Sequence, residues 1–329
     1  MNICLVMAGN EEGGLEKHVV ELAEGLQKNK HRVTVIAHEK YRERLNTEFI
    51  AIDLSKSRRN IFVLYQLYKI LKSLQPEIIH VHGNKAASMI GPLLTYLKIP
   101  NVATLHSRKK NTKMFKNFDA VIAVSPNASE ILDHPNKYIV LNGIIPPNLN
   151  SQIEKTQPPL VLAVGRLVPV KGFDILIQAW KDIDHAQLWI VGEGFEQEKL
   201  ETLIQQLHLQ NSVKLLGFRT DITELMQQAS LYVMSSHYEG CPYTMIEALL
   251  SKTPMISTAV GAMNIVLPKQ YLCPENDIHA LHKLLVKSLN NLPKIEHDFQ
   301  SVYAFANENL VLDAMIEHIE TIYKQVHHA

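Results

Sequence analysis

Ser235-Ser236-His237-Tyr238-Glu239-Gly240-Cys241-Pro242-Tyr243-Thr244-Met245-Ile246-Glu247-Ala248 follows a short apolar run, Leu231–Met234, and opens a stretch of helical period that runs to Leu250. Strand, loop, helix in this order is the unit of a parallel sheet, because parallel neighbours need a crossover and a helix supplies it. Gly240 and Pro242 punctuate the turn, and Pro242 stands where a missing N–H costs least. Free amides at such a helix start point toward the strand ends and suit diphosphate oxygens. Glu239 lies in the loop and Glu247 about one turn into the helix, so both carboxylates can face one cleft and accept paired sugar or ribose hydroxyls. Helix capping plus a solvated face accounts for the same residues without any ligand, and this stretch alone leaves both readings open.

Outward from it the alternation repeats. Leu160–Val164, Gln187–Val191, Val213–Leu216 and Met255–Ser257 read as strands, with helices through Asp174–Lys181 and Gln197–Leu207. On the amino-terminal side the same pattern gives strands Ile3–Met7, Arg32–Ile36, Ile78–His82, Asn101–Leu105, Ala120–Val124 and Tyr138–Leu141, with helices through His18–Gln27 and Ile61–Leu74. Residues 145–159 are polar, carry four prolines and read as a connection. The amphipathic stripe Leu310, Val311, Met315, Ile319, Ile322, Tyr323 and Val326 predicts a closing helix. The expected organisation is a doubly wound Rossmann-like domain over 1–147, a linker over 148–158, a second such domain over 159–307 and a closing helix over 308–329. Ligands of open parallel sheets sit beyond the carboxyl ends of the strands, so two such domains facing across a cleft suit a reaction with two substrates.

The chain has 329 residues, 46% of them hydrophobic, enough for two cores. Its 33 basic and 33 acidic residues balance, which gives no global field toward nucleic acid. The balance is uneven along the chain: residues 1–150 hold 20 Lys+Arg against 13 Asp+Glu, leaving 13 against 20 for the rest. Cys4, Cys241 and Cys273 form no CxxC pair, which predicts a reducing compartment without disulfides. The start, with Gly9, Asn10, Glu11 and Glu12 after a few apolar residues, reads as a buried strand and not as a signal peptide. No run reaches the roughly 18 apolar residues of a membrane span. The expectation is a soluble cytoplasmic protein, with peripheral contact at the inner face of the membrane as an option.

Gly165-Arg166-Leu167-Val168-Pro169-Val170-Lys171-Gly172 follows the strand Leu160–Val164, and its two cations can neutralise a diphosphate; a plain surface turn reads equally well. Gly13-Gly14-Leu15-Glu16 would let the backbone approach a ligand, although no GxGxxG is present and a tight turn before a helix explains it too. His80, His82 and His106 fall near strand carboxyl ends, and with no third ligand at suitable spacing no metal site is expected. Asp182-Ile183-Asp184 is a DxD, but it sits before a strand and reads as a turn.

Taken in order, these segments resemble glycosyltransferase family 4, a retaining family with the GT-B fold. The most specific match is Glu239 and Glu247 within Ser-x-x-x-Glu-Gly-x-Pro-x-x-x-x-Glu-Ala, with Lys252-Thr253-Pro254-Met255-Ile256 after it. Gly13-Gly14-Leu15-Glu16, His80-Val81-His82, Thr104-x-His106, Val124-Ser125, Asn142-Gly143-Ile144, Gly165-Arg166-Leu167 with Lys171-Gly172, and Val191-Gly192-Glu193-Gly194 support it. The resemblance implies that Gly165, Arg166 and Lys171 hold the donor diphosphate, Glu247 the ribose and Glu239 the donor sugar. It further implies that Gly240, Cys241, Pro242, Tyr243 and Thr244 cradle phosphate, and that Gly14 and His106 lie near the phosphates and the reacting centre. The donor implied is a UDP- or GDP-sugar, the acceptor a glycan or a lipid-linked glycan, the reaction independent of metal, with no other cofactor. Front-face attack assisted by the leaving phosphate is the mechanism it implies; Glu239 as a covalent nucleophile is the less favoured one. Where the family commonly has Gly-Gly-x-x-Glu, this chain reads Gly261-Ala262-Met263-Asn264-Ile265, so the sugar is not carried over. The same scaffold would also suit a nucleotide-sugar epimerase or a binding subunit without catalysis. The basic groups Lys56, Arg58 and Arg59, and Arg108, Lys109, Lys110, Lys113 and Lys116, suggest contact with an anionic membrane or simply a solvated face.

Overall fold

A computed structural model describes residues 1–9, 13–107 and 111–328. Arg108, Lys109 and Lys110 of the basic run, with Asn10, Glu11 and Glu12, lie outside the described residues. The chain divides into two compact units, Met1–Ile144 with Val311–Ala329, and Ile145–Leu310.

The first unit is built on strands β1 (Asn2–Met7), β2 (Arg32–Ala37), β3 (Glu48–Ala51), β4 (Ile78–His82), β5 (Asn101–Leu105), β6 (Ala120–Ala123) and β7 (Lys137–Ile139). They form one parallel sheet in the order β3-β2-β1-β4-β5-β6-β7. Side chains alternate across a strand, and β1 shows the consequence. Ile3, Leu5 and Met7 enter the core on one face, Cys4 and Val6 the core on the other. A sheet covered on both faces needs runs that are apolar throughout, which is why these strands are legible as such.

One face is covered by helices Ile61–Leu74 and Gly83–Leu97. The other is covered by Gly14–Lys28, which buries Val19, Leu22, Ala23 and Leu26, and by Leu312–His327, which buries Leu312, Met315, Ile316, Ile319, Ile322 and Tyr323. Each of the valine, leucine, isoleucine and methionine side chains among them contributes about 1.5–3 kcal/mol. The closing helix therefore belongs to the first unit's core, and the Leu312 amide donates to the Ile144 carbonyl at 2.8 Å where the chain returns.

The second unit has strands β8 (Leu160–Val164), β9 (Gln187–Val191), β10 (Val213–Leu215), β11 (Leu231–Met234), β12 (Met255–Thr258) and β13 (Leu272–Cys273), in the parallel order β10-β9-β8-β11-β12-β13. The residues expected as a linker, 148–158, fall within this unit. There the Lys155 ammonium donates to the Ala229 carbonyl at 2.7 Å and the Thr156 amide to Gln228 at 3.1 Å. Both sheets reverse direction of growth once, between β1 and β4 and between β8 and β11, and the crevice for a ligand lies at the carboxyl ends of those strands. Among the described residues no helix is long and apolar enough to cross a membrane.

Candidate active site

In the second unit the loops after β8 and β11 meet. The Val170 carbonyl accepts from the His237 amide at 2.9 Å, and the Lys171 carbonyl accepts from the Ser235 hydroxyl at 2.9 Å. Gly172 makes the approach possible: its φ of 62° is left-handed, and a Cβ there would strike the Ser235 carbonyl oxygen. The Lys171 ammonium then donates to Oε1 of Glu239 at 2.6 Å, and the Ser236 hydroxyl donates to the same oxygen at 2.8 Å. Both partners of the pair are largely shielded, at 19% and 12% exposure, so the attraction is screened less than on an open surface.

Gly165 and Arg166 are placed by a second loop contact, after β9. The Gly165 amide donates to Val191 at 2.9 Å and the Leu167 amide to Glu193 at 2.8 Å, so the ladder runs on past the strand ends. Gly192, at φ 135°, leaves room that a Cβ would take from the Gly165 carbonyl. Arg166 is exposed, and its guanidinium has no ion-pair partner among the described residues. The Gly240 carbonyl is pinned by the Ala262 amide at 2.7 Å, which brings Gly261–Ile265 against the Glu239 loop. Asn264 in that stretch turns its amide to the Ala259 carbonyl at 3.2 Å, and Ile265 is exposed.

Gly240, Cys241, Pro242 and Tyr243 are buried, Thr244 and Glu247 partly so. Helix Tyr243–Leu250 starts at Pro242 with no side chain capping it. At this start the Met245 amide donates back to the Pro242 carbonyl at 3.2 Å, and the positive end of the helix dipole faces the loop. Tyr232 of β11, read in the sequence only as a strand residue, stands in the middle of this group. Burial pushes its phenol well above the ordinary range, a hydrogen bond to Thr244 pulls the other way, and the carboxylates of Glu247 and Glu239 push it up further. The carboxylates of both acidic residues of the motif thus act on one tyrosine. Asp182 and Asp184 sit in the exposed turn before β9, at the opposite ends of the strands.

The first unit's crevice is built differently. His82 ends β4, His106 follows β5, and His18 comes from helix Gly14–Lys28. Their rings gather: His18 to His106 is 4.7 Å between centroids, His18 to His82 5.3 Å and His80 to His82 4.1 Å. His80 is satisfied on both nitrogens, by the Tyr323 hydroxyl at 2.6 Å and the Thr104 hydroxyl at 2.7 Å. His82 Nδ1 lies 3.2 Å from His106 Nε2, and His18 Nδ1 lies 3.1 Å from Oδ1 of Asn142. Burial holds His18 down to about 4, against a smaller upward effect of Asn142. Burial, reinforced by the neighbouring imidazoles, holds His80, His82 and His106 well below the ordinary range. Gly14 is exposed at the start of its helix. The sequence points to His80, His82 and His106, and to Asn142 only as part of the Asn142-Gly143-Ile144 match; His18 and Tyr323 reach the cluster only through the fold.

Two family models match this chain: "Glycosyltransferase Family 4" over residues 12–146 and "Glycosyl transferases group 1" over residues 146–301. An uncharacterized glycosyltransferase of Methanocaldococcus jannaschii is 28% identical over 304 residues, covering 85% of each chain. A lipopolysaccharide core biosynthesis glycosyltransferase, LpsE of Rhizobium meliloti, is 23% identical over 266 residues, covering 75% of this chain and 76% of that one. Among solved structures, HepE of Anabaena in complex with UDP superposes with a TM-score of 0.84 at 18% identity, covering 99% of this chain and 100% of that one. HepE has also been solved with UDP-glucose. With two doubly wound parallel sheets, the family motif assembled around Lys171 and Glu239, and both family models matched in order, the chain belongs to the family 4, group 1 glycosyltransferases of GT-B fold.

Proposed function

We propose that the chain moves a sugar, with retention of anomeric configuration, from a UDP- or GDP-sugar to a glycan or lipid-linked acceptor in envelope polysaccharide, lipopolysaccharide or capsule assembly. The observation that carries the donor half is the Lys171–Glu239 contact at 2.6 Å, formed at the switch point of the second sheet beside an uncapped helix start. In the reaction the bond between the anomeric carbon and the diphosphate oxygen breaks, and the acceptor oxygen bonds to that carbon on the same face. The acceptor proton passes to the departing phosphate. Negative charge therefore grows on the diphosphate, and fixed cations aimed there lower the barrier. Arg166 and Lys171 take that role, so the chain supplies the countercharge without a divalent ion. Glu247 accepts ribose hydroxyls, Glu239 accepts hydroxyls of the donor sugar, and the backbone of 240–244 takes phosphate. Gly14 and His106 serve the transfer from the first unit.

Two similarities support this reading. HepE holds UDP and UDP-glucose, and the Rhizobium relative acts in lipopolysaccharide core biosynthesis. A lipid-linked acceptor also suits the first unit's surface, where exposed Lys56, Arg58 and Arg59 precede exposed Ile61, Phe62 and Tyr65. Melting the chain against UDP, GDP, ADP and their sugars is the test, since a ligand bound only by the folded state raises apparent stability. One nucleotide family should raise Tm, and Glu247→Ala and Arg166→Ala should each abolish the rise. A flat response across the panel sinks the nucleotide-sugar reading.

A further inference from the structure

We propose that the first unit carries a site for one late first-row divalent ion, of which Zn2+ is the type, held by ring nitrogens of His18, His82 and His106. Spacing along the chain offers no third ligand beside these strand-end histidines, but the fold brings His18 from another element: one ring nitrogen of each lies within 4.8 Å of the others. His82 Nδ1 and His106 Nε2 are already 3.2 Å apart. Two nitrogens on a tetrahedral ion at about 2.05 Å stand about 3.3 Å from each other. The remaining pairs need to close by at most about 1.5 Å, which ring rotation about χ2 can provide.

Two features separate this cluster from an ordinary polar core. His80, in the same stack, has both nitrogens bonded, whereas Nε2 of His18 is buried with no partner among the described residues. Such atoms cost stability unless something engages them. The Asn142 oxygen fixes the His18 tautomer: Nδ1 carries the proton, and Nε2 turns a lone pair to the cluster, the arrangement by which an outer partner orients a metal-binding imidazole. The donor set is nitrogen with no carboxylate in the group, which selects Zn2+, Co2+, Ni2+ or Cu2+ over Mg2+ and Ca2+. His106 is partly exposed, so an ion has an entry and a fourth position open to solvent or a ligand. The site lies in the first unit and shares His106 with the proposed transfer chemistry, but its test reads bound metal and not activity, so the two readings fail separately.

The full chain, stripped with chelator, loaded with Zn2+ and dialysed, should retain about one equivalent by elemental analysis. Co2+ in its place should give the intense visible absorption of a tetrahedral ion. His18→Ala and His82→Ala should lose both signals, while His185→Ala, an exposed imidazole of the second unit, keeps them. Should either buried variant fail to fold by circular dichroism, His106→Gln at the rim carries the same test. Retention well below one equivalent, or equal retention in the folded cluster variants and the unaltered chain, overturns the proposal.

Discussion

The two units share a strand order and differ in what they place at its switch point. In the second unit the crevice holds opposite charges, Lys171 on Glu239 with exposed Arg166 nearby. In the first it holds four imidazoles kept uncharged by burial. The same topology thus presents a charged group of side chains in one unit and a neutral nitrogen cluster in the other. Topology says where a ligand goes; side chains say which chemistry it meets.

The contrast is broken most severely by Lys171→Ala. That change removes the cation proposed to face the leaving diphosphate and leaves Glu239, 12% exposed, with the Ser236 hydroxyl on Oε1. Loss of one such stabilising group costs about 10²–10³ in kcat, here read as the rate of nucleotide release with donor and acceptor present. A fall of less than about tenfold would remove Lys171 from the charge-stabilising role.

Acid tests the neutral half. His18 titrates near 4 in the folded chain against 6.5 unfolded, so below 6.5 the unfolded state binds the proton first. The stability His18 contributes is complete above 6.5 and is lost as pH falls toward about 4. Each pH unit in that window costs up to about 1.4 kcal/mol, or about 3 kcal/mol across it, and the other three histidines act in the same direction. Hydrogen exchange of β4 and β5 amides should accelerate between pH 6.5 and 4 more than that of β8 and β11. Equal acceleration in both sheets would contradict the difference between the units.

How much of this is legible in the sequence follows from distance along the chain. The donor motif is one contiguous segment after one strand, so Glu239, Glu247 and the helix start can be read together. The histidine cluster joins His18 to Asn142 across 124 positions and His80 to Tyr323 across 243, and no local pattern marks such pairs. Strands buried on both faces read clearly. Glu48–Ala51 does not, being a short, half-buried edge, and neither does the two-residue Leu272–Cys273. Helix Gly83–Leu97 is hidden by Gly91-Pro92, which punctuates its apolar pattern. Packing of Ala86, Ala87, Met89, Ile90 and Leu94 against the sheet outweighs the proline. Tyr232 reads as core because its strand is core; only the neighbouring loops make its hydroxyl part of a site.

The smallest effect sharpens the contrast in charge. Residues 1–150 carry the excess of Lys and Arg, and in the first unit Lys56, Arg58 and Arg59 lie exposed beside Phe62. Each basic residue near an anionic surface contributes about 1 kcal/mol, so Arg58→Glu with Arg59→Glu should weaken sedimentation with anionic vesicles at low salt by about tenfold or more. An unaltered chain that stays in the supernatant would end the membrane-contact reading and leave these residues as a solvated face.

The central claim is that the charged switch point, and not the imidazole one, holds the donor nucleotide. Calorimetric titration of UDP and of GDP into the chain, Arg166→Ala and His18→Ala decides it. The account predicts binding of one nucleotide that weakens at least about tenfold in Arg166→Ala, the loss of about 1.4 kcal/mol expected of a charge-assisted contact, and stays within about twofold in His18→Ala. Unchanged affinity in Arg166→Ala, or an equal loss in His18→Ala, would contradict it.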